Sequence, residues 1–169
     1  MAEHFDLAFV LRQLEQEIGD SEYVPCDSSD EHLRYELYKR ASRCDKSIGL
    51  LLGALALETD VAMATAAIFE LIERLDSDSL EAAQRVAPEA TKSQVATRVN
   101  ETRLLRGLGT GQDSPQEIDA LMAASDWAQR TALEVSPTLE VIGALSNRGR
   151  TKRVRRVAGE MLGRQTSDP

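Results

Sequence analysis

Apolar residues recur at helical spacing along most of this chain. In the first segment Leu7, Leu11, Leu14 and Ile18 follow one another at intervals of three or four residues, so they line one side of a helix that Gly19 can end in a left-handed turn. Similar stripes fill the later segments, and no run alternates Val, Thr and Tyr with polar residues as half-buried strands do. The pattern predicts an all-α fold.

A second, long helical segment is predicted after the loop DSEYVPCDSSD. Ser29 is its expected cap, because a serine side chain can accept a backbone N–H of the first turn. The segment begins DEHLRYELYKRASRC and continues into the most apolar stretch, residues 48–57, with a kink expected near Ser47 or Gly49. That stretch is about half the roughly 20 residues that cross a bilayer, so it is interpreted as core and no membrane contact is expected.

The tripeptide ETD at 58–60 predicts the next break, with Thr59 as the cap of the helix that follows. Pro88 is expected to interrupt a fourth helical stretch, and a further helix is expected to end at Gly107. The apolar stripe of the helix behind Thr59 consists of Val61, Thr65, Ile68, Ile72 and Leu75.

The segment GLGTGQDS, residues 107–114, predicts a joint between two parts of the chain. Its glycines are not a phosphate loop, because no strand precedes them and no Gly-Lys-Ser/Thr follows. Short helices in series are expected beyond the joint. Ser114, Ser125 and Ser136 are their predicted caps, and a fourth helix is expected to begin at Thr151. The first also shows Pro115 and a capping box of Ser114 with Glu117, and Pro137 follows Ser136.

The last helix contains the basic sequence GRTKRVRRVAGEML. One face about 100° wide is predicted to be apolar, and it comprises Val154, Val157, Ala158, Met161 and Leu162. The basic residues Lys152, Arg153, Arg155 and Arg156 must then point elsewhere. They are interpreted first as the solvated side of a packed helix and, as an alternative, as a binding surface that also includes Arg150.

Charge divides unevenly along the chain of 169 residues, whose formal net charge is −8. Residues 140–169 carry seven basic and three acidic side chains, a net +4, whereas residues 1–139 carry thirteen and twenty-five, a net −12. Such asymmetry can attract an acidic protein, a phosphate backbone or the acidic half of a second copy, which would give a homo-oligomer. The 42% of hydrophobic residues predict a chain that folds.

Two cysteines, Cys26 and Cys44, are too few for a disulfide framework, and no signal-like apolar run opens the chain. A cytoplasmic location is therefore expected. Cys44, within a helical run, is predicted to be a small buried hydrophobe. A metal site built from both cysteines with His32 and Asp30 matches no closed zinc pattern, and no metal is predicted.

Enzymatic chemistry finds little support in the residue types available. His4 and His32 are the only histidines, neither lies in a nucleophile motif, and His32 is expected on a helix surface. Glu70 and Glu73 can share a helix face, but no Glu-x-x-His pair accompanies them. No catalytic residue and no cofactor is predicted. Trp127, the single tryptophan, is either a packing anchor between helices or a partly exposed contact residue.

Residues of about 115–163 resemble bacterial helical repeats of the HEAT and variant leucine-rich (LRV) type. Arg130 and Arg155 are 25 residues apart, close to the short repeat of the variant leucine-rich class. Gln129 stands where an aliphatic residue is usual, and the Asn-Pro turn is replaced by Val-Ser-Pro. The residues that fit are Asp126, Gln129, Arg130 and Leu133, then Ser136, Pro137, Leu139, Ile142 and Leu145, and in the next copy Val154, Arg155, Ala158 and Leu162.

This resemblance implies a short α-solenoid that offers a surface to another macromolecule. Together the patterns predict a helical N-terminal bundle over 1–107 and a HEAT-like or LRV-like repeat unit over 114–163, packed as one compact domain. The expected function is non-enzymatic binding of a protein partner. The expected contact residues are Trp127, Arg150, Lys152, Arg153, Arg155 and Arg156. Nucleic-acid binding through the basic C-terminal helix is the alternative.

Overall fold

The computed structural model of the chain describes residues 6–19, 27–109, 113–135 and 138–165. These residues form α-helices and two short 3₁₀ turns and contain no β-strand, which confirms the all-α class. The chain divides into two compact units, Met1–Val99 and Asn100–Pro169. This boundary lies before the predicted joint at 107–114. Glu101 already accepts a hydrogen bond from Ser125, and Leu105 is already part of the second hydrophobic core, so both residues belong to the second unit.

The described residues of the first unit form six helices, the last of which continues into the second unit. They are α1 (Leu7–Ile18), α2 (Glu31–Ala41), α3 (Ile48–Leu57), α4 (Val61–Ile72), α5 (Ser77–Val86) and α6 (Lys92–Gly107). As predicted, α1 ends at Gly19, whose φ of 69° is left-handed. The predicted interruption at Pro88 and the helix end at Gly107 are also confirmed.

The predicted caps Ser29 and Thr59 are both wrong by one residue. Asp30 caps α2 by accepting the N–H groups of His32 and Leu33, and Asp60 caps α4 by accepting that of Met63. Ser29 instead donates to Asp27. In each case an aspartate adjoins the predicted cap, and its carboxylate is the charge-assisted acceptor that the helix N-terminus favours.

The predicted long second segment is broken rather than kinked. Helix α2 ends at Ala41, a 3₁₀ turn covers Asp45–Ser47, and α3 begins at Ile48. The buried Ser47 hydroxyl lies 2.8 Å from the carbonyl oxygens of both Ala41 and Cys44, so it satisfies backbone groups that the break frees. Cys44 lies in this connection and is only half-buried, which corrects its prediction as a buried helix residue.

The core of the first unit is aliphatic. Helix α3 buries Leu51, Ala54 and Leu55, and the predicted stripe of α4 is buried except for Val61, which is 41% exposed. No helix in the described ranges combines the length and apolarity needed to cross a bilayer.

A buried ion pair joins α2 to the turn between α3 and α4. The Arg34 Nε lies 3.0 Å from Glu58 Oε2, the same oxygen accepts the Tyr38 hydroxyl at 2.8 Å, and the Asp60 N–H donates to Oε1 at 3.0 Å. Burial raises the pKa of the Glu58 carboxyl, but these donors and the Arg34 charge outweigh burial and leave that pKa below its usual value. Glu58 therefore ties the turn to α2 as a carboxylate.

Where the structure describes the second unit, it contains four further helices: α7 (Pro115–Ala123), α8 (Asp126–Val135), α9 (Leu139–Arg148) and α10 (Lys152–Gln165). The capping box of Ser114 with Glu117 and the cap Ser125 are confirmed. The last helix, expected to begin at Thr151, begins at Lys152, and Thr151 is its cap. The cap of α9 is Thr138, which corrects the prediction of Ser136; Ser136 and Pro137 themselves lie outside the described residues.

Candidate functional site

The two faces of α10 are arranged as its sequence predicts. Val154 and Ala158 are buried, with 1% and 0% exposure, in the core of the second unit. Val157, Met161 and Leu162 are half-buried and pack against the same core. The apolar face predicted for this helix is therefore confirmed, and its basic residues are left on the remaining sides.

The basic residues of this helix have different surroundings. Arg156 is exposed and pairs with Glu160 one turn later at 2.9 Å. Arg155 is half-buried and donates to the backbone carbonyl of Gly149, so its guanidinium helps to hold the turn that precedes α10. The side chains of Arg150, Lys152 and Arg153 are exposed and have no hydrogen-bond or ion-pair partner among the described residues. These three cations are available to an external anion.

A groove of about 170 Å³ runs between α8 and α10, and one of these cations, Arg153, lines it. Its wall is mainly apolar: Leu133 and Val154 are buried at the bottom, and Val157 and Met161 are half-buried. Three charged residues complete its lining, namely Arg130 and Glu134 on α8 and Arg153 on α10. Of the predicted contact residues, the structure brings only Arg153 to this groove.

The sequence reasoning missed the α8 side of the groove. Arg130, Leu133 and Glu134 lie three and four residues apart on one helix face, a spacing that is visible in the sequence. Their proximity to Val157 and Met161 depends on how α8 packs on α10, which local spacing does not reveal.

Trp127 lies in the first turn of α8 and is half-buried against the core of the second unit. This position agrees with a packing anchor and leaves part of the indole exposed to a partner. It is not among the residues that line the groove.

A buried amide holds the helices that form the groove. Gln129 is completely buried, and its Nε2 donates to the carbonyl oxygens of Leu121 and Met122 at 3.0 and 3.1 Å. Its Oε1 accepts the N–H of Arg150 at 2.7 Å. One side chain of α8 thus connects the last turn of α7 with the chain entering α10. This role explains a polar residue at a position where the repeat resemblance implies an aliphatic one.

A second hydrogen bond supports the same junction. Thr151, the cap of α10, donates its hydroxyl to Asp126 at 2.9 Å, and Asp126 also pairs with Arg130 at 3.1 Å. Asp126 therefore fixes the start of α10 and one cation beside the groove.

The candidate metal and acid–base residues do not converge in the part of the chain that the structure describes. No three His, Cys, Asp or Glu side chains there are placed to hold a metal ion. His32 is exposed, as predicted, whereas His4 and Cys26 lie outside the described residues. Glu70 accepts a hydrogen bond from the Tyr35 hydroxyl at 2.9 Å. Burial raises the pKa of Tyr35, and this hydrogen bond raises it further.

Another groove, of about 470 Å³, lies in the first unit between α1 and α3. Among the described residues that line it, Gln13 is the only polar one and none is charged; the others include Val10, Leu50, Leu57 and two glycines. With no charge, this surface does not select one class of partner.

Comparison of the chain with protein-family models, with curated proteins and with solved structures finds no significant match. The resemblance of residues 115–163 to HEAT and variant leucine-rich repeats therefore stays a prediction, and the function has to be inferred from the site itself.

Proposed function

We propose that this protein is a non-enzymatic helical-repeat module that binds another protein through the surface of α8 and α10. The observation that carries the proposal is an apolar groove lined by Arg153, which belongs with Arg150 and Lys152 to a trio of exposed cations without partners among the described residues. Protein-binding surfaces commonly combine such an apolar centre with a charged rim. Three buried polar side chains of the same unit, Glu101, Asp113 and Gln129, are already engaged in structural hydrogen bonds, which supports an interaction role over a catalytic one, although the buried Thr102 hydroxyl has no partner among the described residues.

The repeat part of the proposal is supported by periodic contacts in the second unit. Helix α7 packs against α9, and α8 packs against α10, so each helix contacts the one two places later. Similar hydrogen bonds join the starts of these helices: Thr138 donates to Asp113, which precedes the cap of α7, and Thr151 donates to Asp126, the first residue of α8; both pairs are 25 residues apart. This spacing equals the step between Arg130 and Arg155. Stacked helix pairs of this kind expose continuous surfaces that suit protein partners.

A photo-crosslinking residue at exposed position 160 tests the proposal in the protein's native cells. We expect a discrete protein adduct that disappears when the three cations are replaced together, Arg150→Glu, Lys152→Glu and Arg153→Glu. The matched control makes the same change in charge at exposed cations of the first unit, Arg12→Glu, Lys46→Glu and Arg85→Glu. No adduct, or equal loss in both triple variants, would reject the proposal.

Nucleic-acid binding is the alternative function, because the same three cations suit phosphate groups. Against it stands the net charge of −12 over residues 1–139, which repels a long polyanion. Titration with duplex DNA and single-stranded RNA at two salt concentrations distinguishes the two functions. We expect dissociation constants no tighter than about 10⁻⁵ M at physiological salt. Nanomolar, salt-steep binding that the triple variant loses would favour the alternative.

A further inference from the structure

We propose that the groove between α8 and α10 receives one apolar side chain from an acidic segment of a partner protein, whose carboxylates contact Arg130 and Arg153. This inference rests on the proposed function and specifies the chemistry of the partner. It follows from the size of the groove, the nature of its wall and the balance of charge at its edge.

The size of the groove limits what can occupy it. Its volume of about 170 Å³ is smaller than the roughly 300–1,000 Å³ of sites that enclose small molecules or cofactors. A single aliphatic or aromatic side chain is the appropriate unit. A protein segment can place one such side chain in the groove while the rest of the segment lies on the surface.

The wall of the groove favours an apolar occupant. Leu133, Val154, Val157 and Met161 present hydrocarbon and a thioether, so an inserted apolar side chain removes apolar surface from water on both molecules. Met161 is unbranched and half-buried, which allows it to adjust to the shape of the incoming side chain. A bare phosphate or sugar–phosphate chain has no group that matches this wall.

The edge of the groove selects acidic neighbours for that side chain. Arg153 is exposed and has no ionic partner among the described residues, and Arg130 is paired with Asp126 but keeps 44% of its side chain exposed. Glu134 is the one acidic residue in the described lining, and Asp126 already pairs with Arg130, so Arg153 is the cation of this edge that is left for a partner's carboxylate. Carboxylates placed near Arg130 and Arg153 gain attraction, whereas one placed near Glu134 is repelled, which orients the segment.

Labelled peptides of about 15 residues test the inference with the full chain. The probe is a helical Ala/Glu peptide with one central Leu, and its two controls replace that Leu by Ser or every Glu by Gln. Fluorescence anisotropy is measured at low and physiological salt. We expect the Ser control to bind at least about tenfold more weakly, since the apolar side chain is lost. The Gln control should bind weakly and lose its salt dependence.

Protein variants then locate the binding site. Arg153→Glu should weaken binding of the Leu peptide by about tenfold or more, because the rim charge changes sign. Arg156→Glu is the matched control, since Arg156 is exposed on the same helix, pairs with Glu160 and does not line the groove. It should change affinity less than about threefold. Val157→Leu should fill the groove and weaken binding while the melting temperature stays near that of the wild type.

Amide chemical shifts provide an independent location. Peptide-induced changes should be largest at Arg130–Glu134 and Arg153–Met161 and absent from the uncharged groove of the first unit. Equal affinities of Arg153→Glu and Arg156→Glu, equal binding of the Leu and Ser peptides, or shifts confined to the first unit would each overturn the proposal. So would self-association of the chain that excludes the peptide, or displacement of the peptide by duplex DNA at equal concentration.

The cellular crosslink separates this inference from the proposed function. If the adduct survives in Arg153→Glu and Val157→Leu but disappears in the triple variant, the groove proposal is wrong and the interaction module stands. If no adduct forms in the wild type, the proposed function itself is wrong. Loss of the adduct in Arg153→Glu and Val157→Leu, but not in Arg156→Glu, supports both.

Discussion

Gln129 connects separate parts of the second unit through one side chain. It has no exposed surface, and its amide contacts the carbonyls of Leu121 and Met122 and the N–H of Arg150. A buried amide is tolerated only when its donors and acceptor are satisfied, and here each has a partner. The same side chain therefore determines where α10 begins relative to α8.

Replacing Gln129 by Leu keeps the size of the side chain but removes these hydrogen bonds. The Arg150 N–H and the Met122 carbonyl oxygen then lose this partner at partly buried positions, whereas the Leu121 carbonyl oxygen still accepts the Ala124 N–H. We expect the free energy of unfolding to fall by about 2–4 kcal/mol, measured by urea denaturation with Trp127 fluorescence, which reports on the second unit. Gln116→Leu on the exposed face of α7 is the control. Equal stability of the two variants would contradict this role.

Glu58 makes the stability of the first unit depend on pH. Burial raises the pKa of the Glu58 carboxyl, but hydrogen bonds from the Asp60 N–H, the Tyr38 hydroxyl and the Arg34 guanidinium, together with the Arg34 charge, lower it more. The pKa in the folded protein therefore lies below its usual value. A carboxyl with a lowered folded pKa contributes stability that is complete above the unfolded pKa, about 4.3. That contribution is lost as the pH falls through the folded value.

We therefore predict that acid destabilises the wild type more than Glu58→Gln. At pH 7 the free energy of unfolding of the variant should be about 3 kcal/mol lower than that of the wild type, because Arg34 remains buried without a carboxylate. The difference in the free energy of unfolding between wild type and variant should become smaller as the pH is lowered from 5 to about 3. Denaturant melts followed by circular dichroism measure it. Glu36→Gln, at a largely exposed position, should follow the wild type; parallel pH profiles of wild type and Glu58→Gln would refute the assignment.

At the scale of elements, the turn between α9 and α10 requires a glycine at position 149. A Cβ on Gly149 would lie 2.5 Å from the Leu145 carbonyl oxygen and 2.8 Å from Val154 Cγ1. Both neighbours are part of the packed core, Leu145 in α9 and Val154 in α10. Only glycine lets the two helices approach so closely at this point.

Gly149→Ala should consequently lower the free energy of unfolding of the second unit by about 1–3 kcal/mol. Gly143→Ala should act in the opposite direction. Gly143 lies inside α9 with no atom within 4 Å of an added Cβ, so alanine there is expected to add about 0.5–1 kcal/mol of helix stability. Thermal unfolding followed by Trp127 fluorescence compares the pair. Changes of the same sign in both variants would contradict the requirement for glycine at position 149.

On the scale of the whole molecule, charge and hydrogen bonding separate between the two units. Residues 1–99 carry ten basic and nineteen acidic side chains, a net −9, whereas residues 100–169 carry ten and nine, a net +1. The Glu58 network lies entirely in the first unit and the Gln129 network entirely in the second. Each unit thus has its own set of buried polar contacts.

Amide hydrogen exchange should reflect this separation. Glu58→Gln should speed exchange mainly in α2–α4, and Gln129→Leu mainly in α7–α10, because each change destabilises the unit that contains it. Mass spectrometry of proteolytic fragments provides the measurement. A uniform increase along the chain in either variant would mean that the two units unfold together as one cooperative structure.

Helix starts show how far local sequence information reaches. The capping box of Ser114 with Glu117 identified the start of α7, since both partners lie within four residues. Ser29 and Thr59 were one residue off because an aspartate next to each competes for the same backbone donors. For α9, the observed cap Thr138 also donates to Asp113, and this distant contact has no local signature.

The sequence by itself determined the all-α class, most helix ends, the apolar face of α10 and the concentration of positive charge near its start. These depend on spacing within a few residues and on composition. Only the tertiary structure decided that Gln129 bridges α7 and α10, that Arg155 holds a turn while Arg153 stays available, and that α8 contributes Arg130 and Leu133 to a groove. Those features depend on how helices and turns pack against one another, and helical periodicity carries no information about which faces meet.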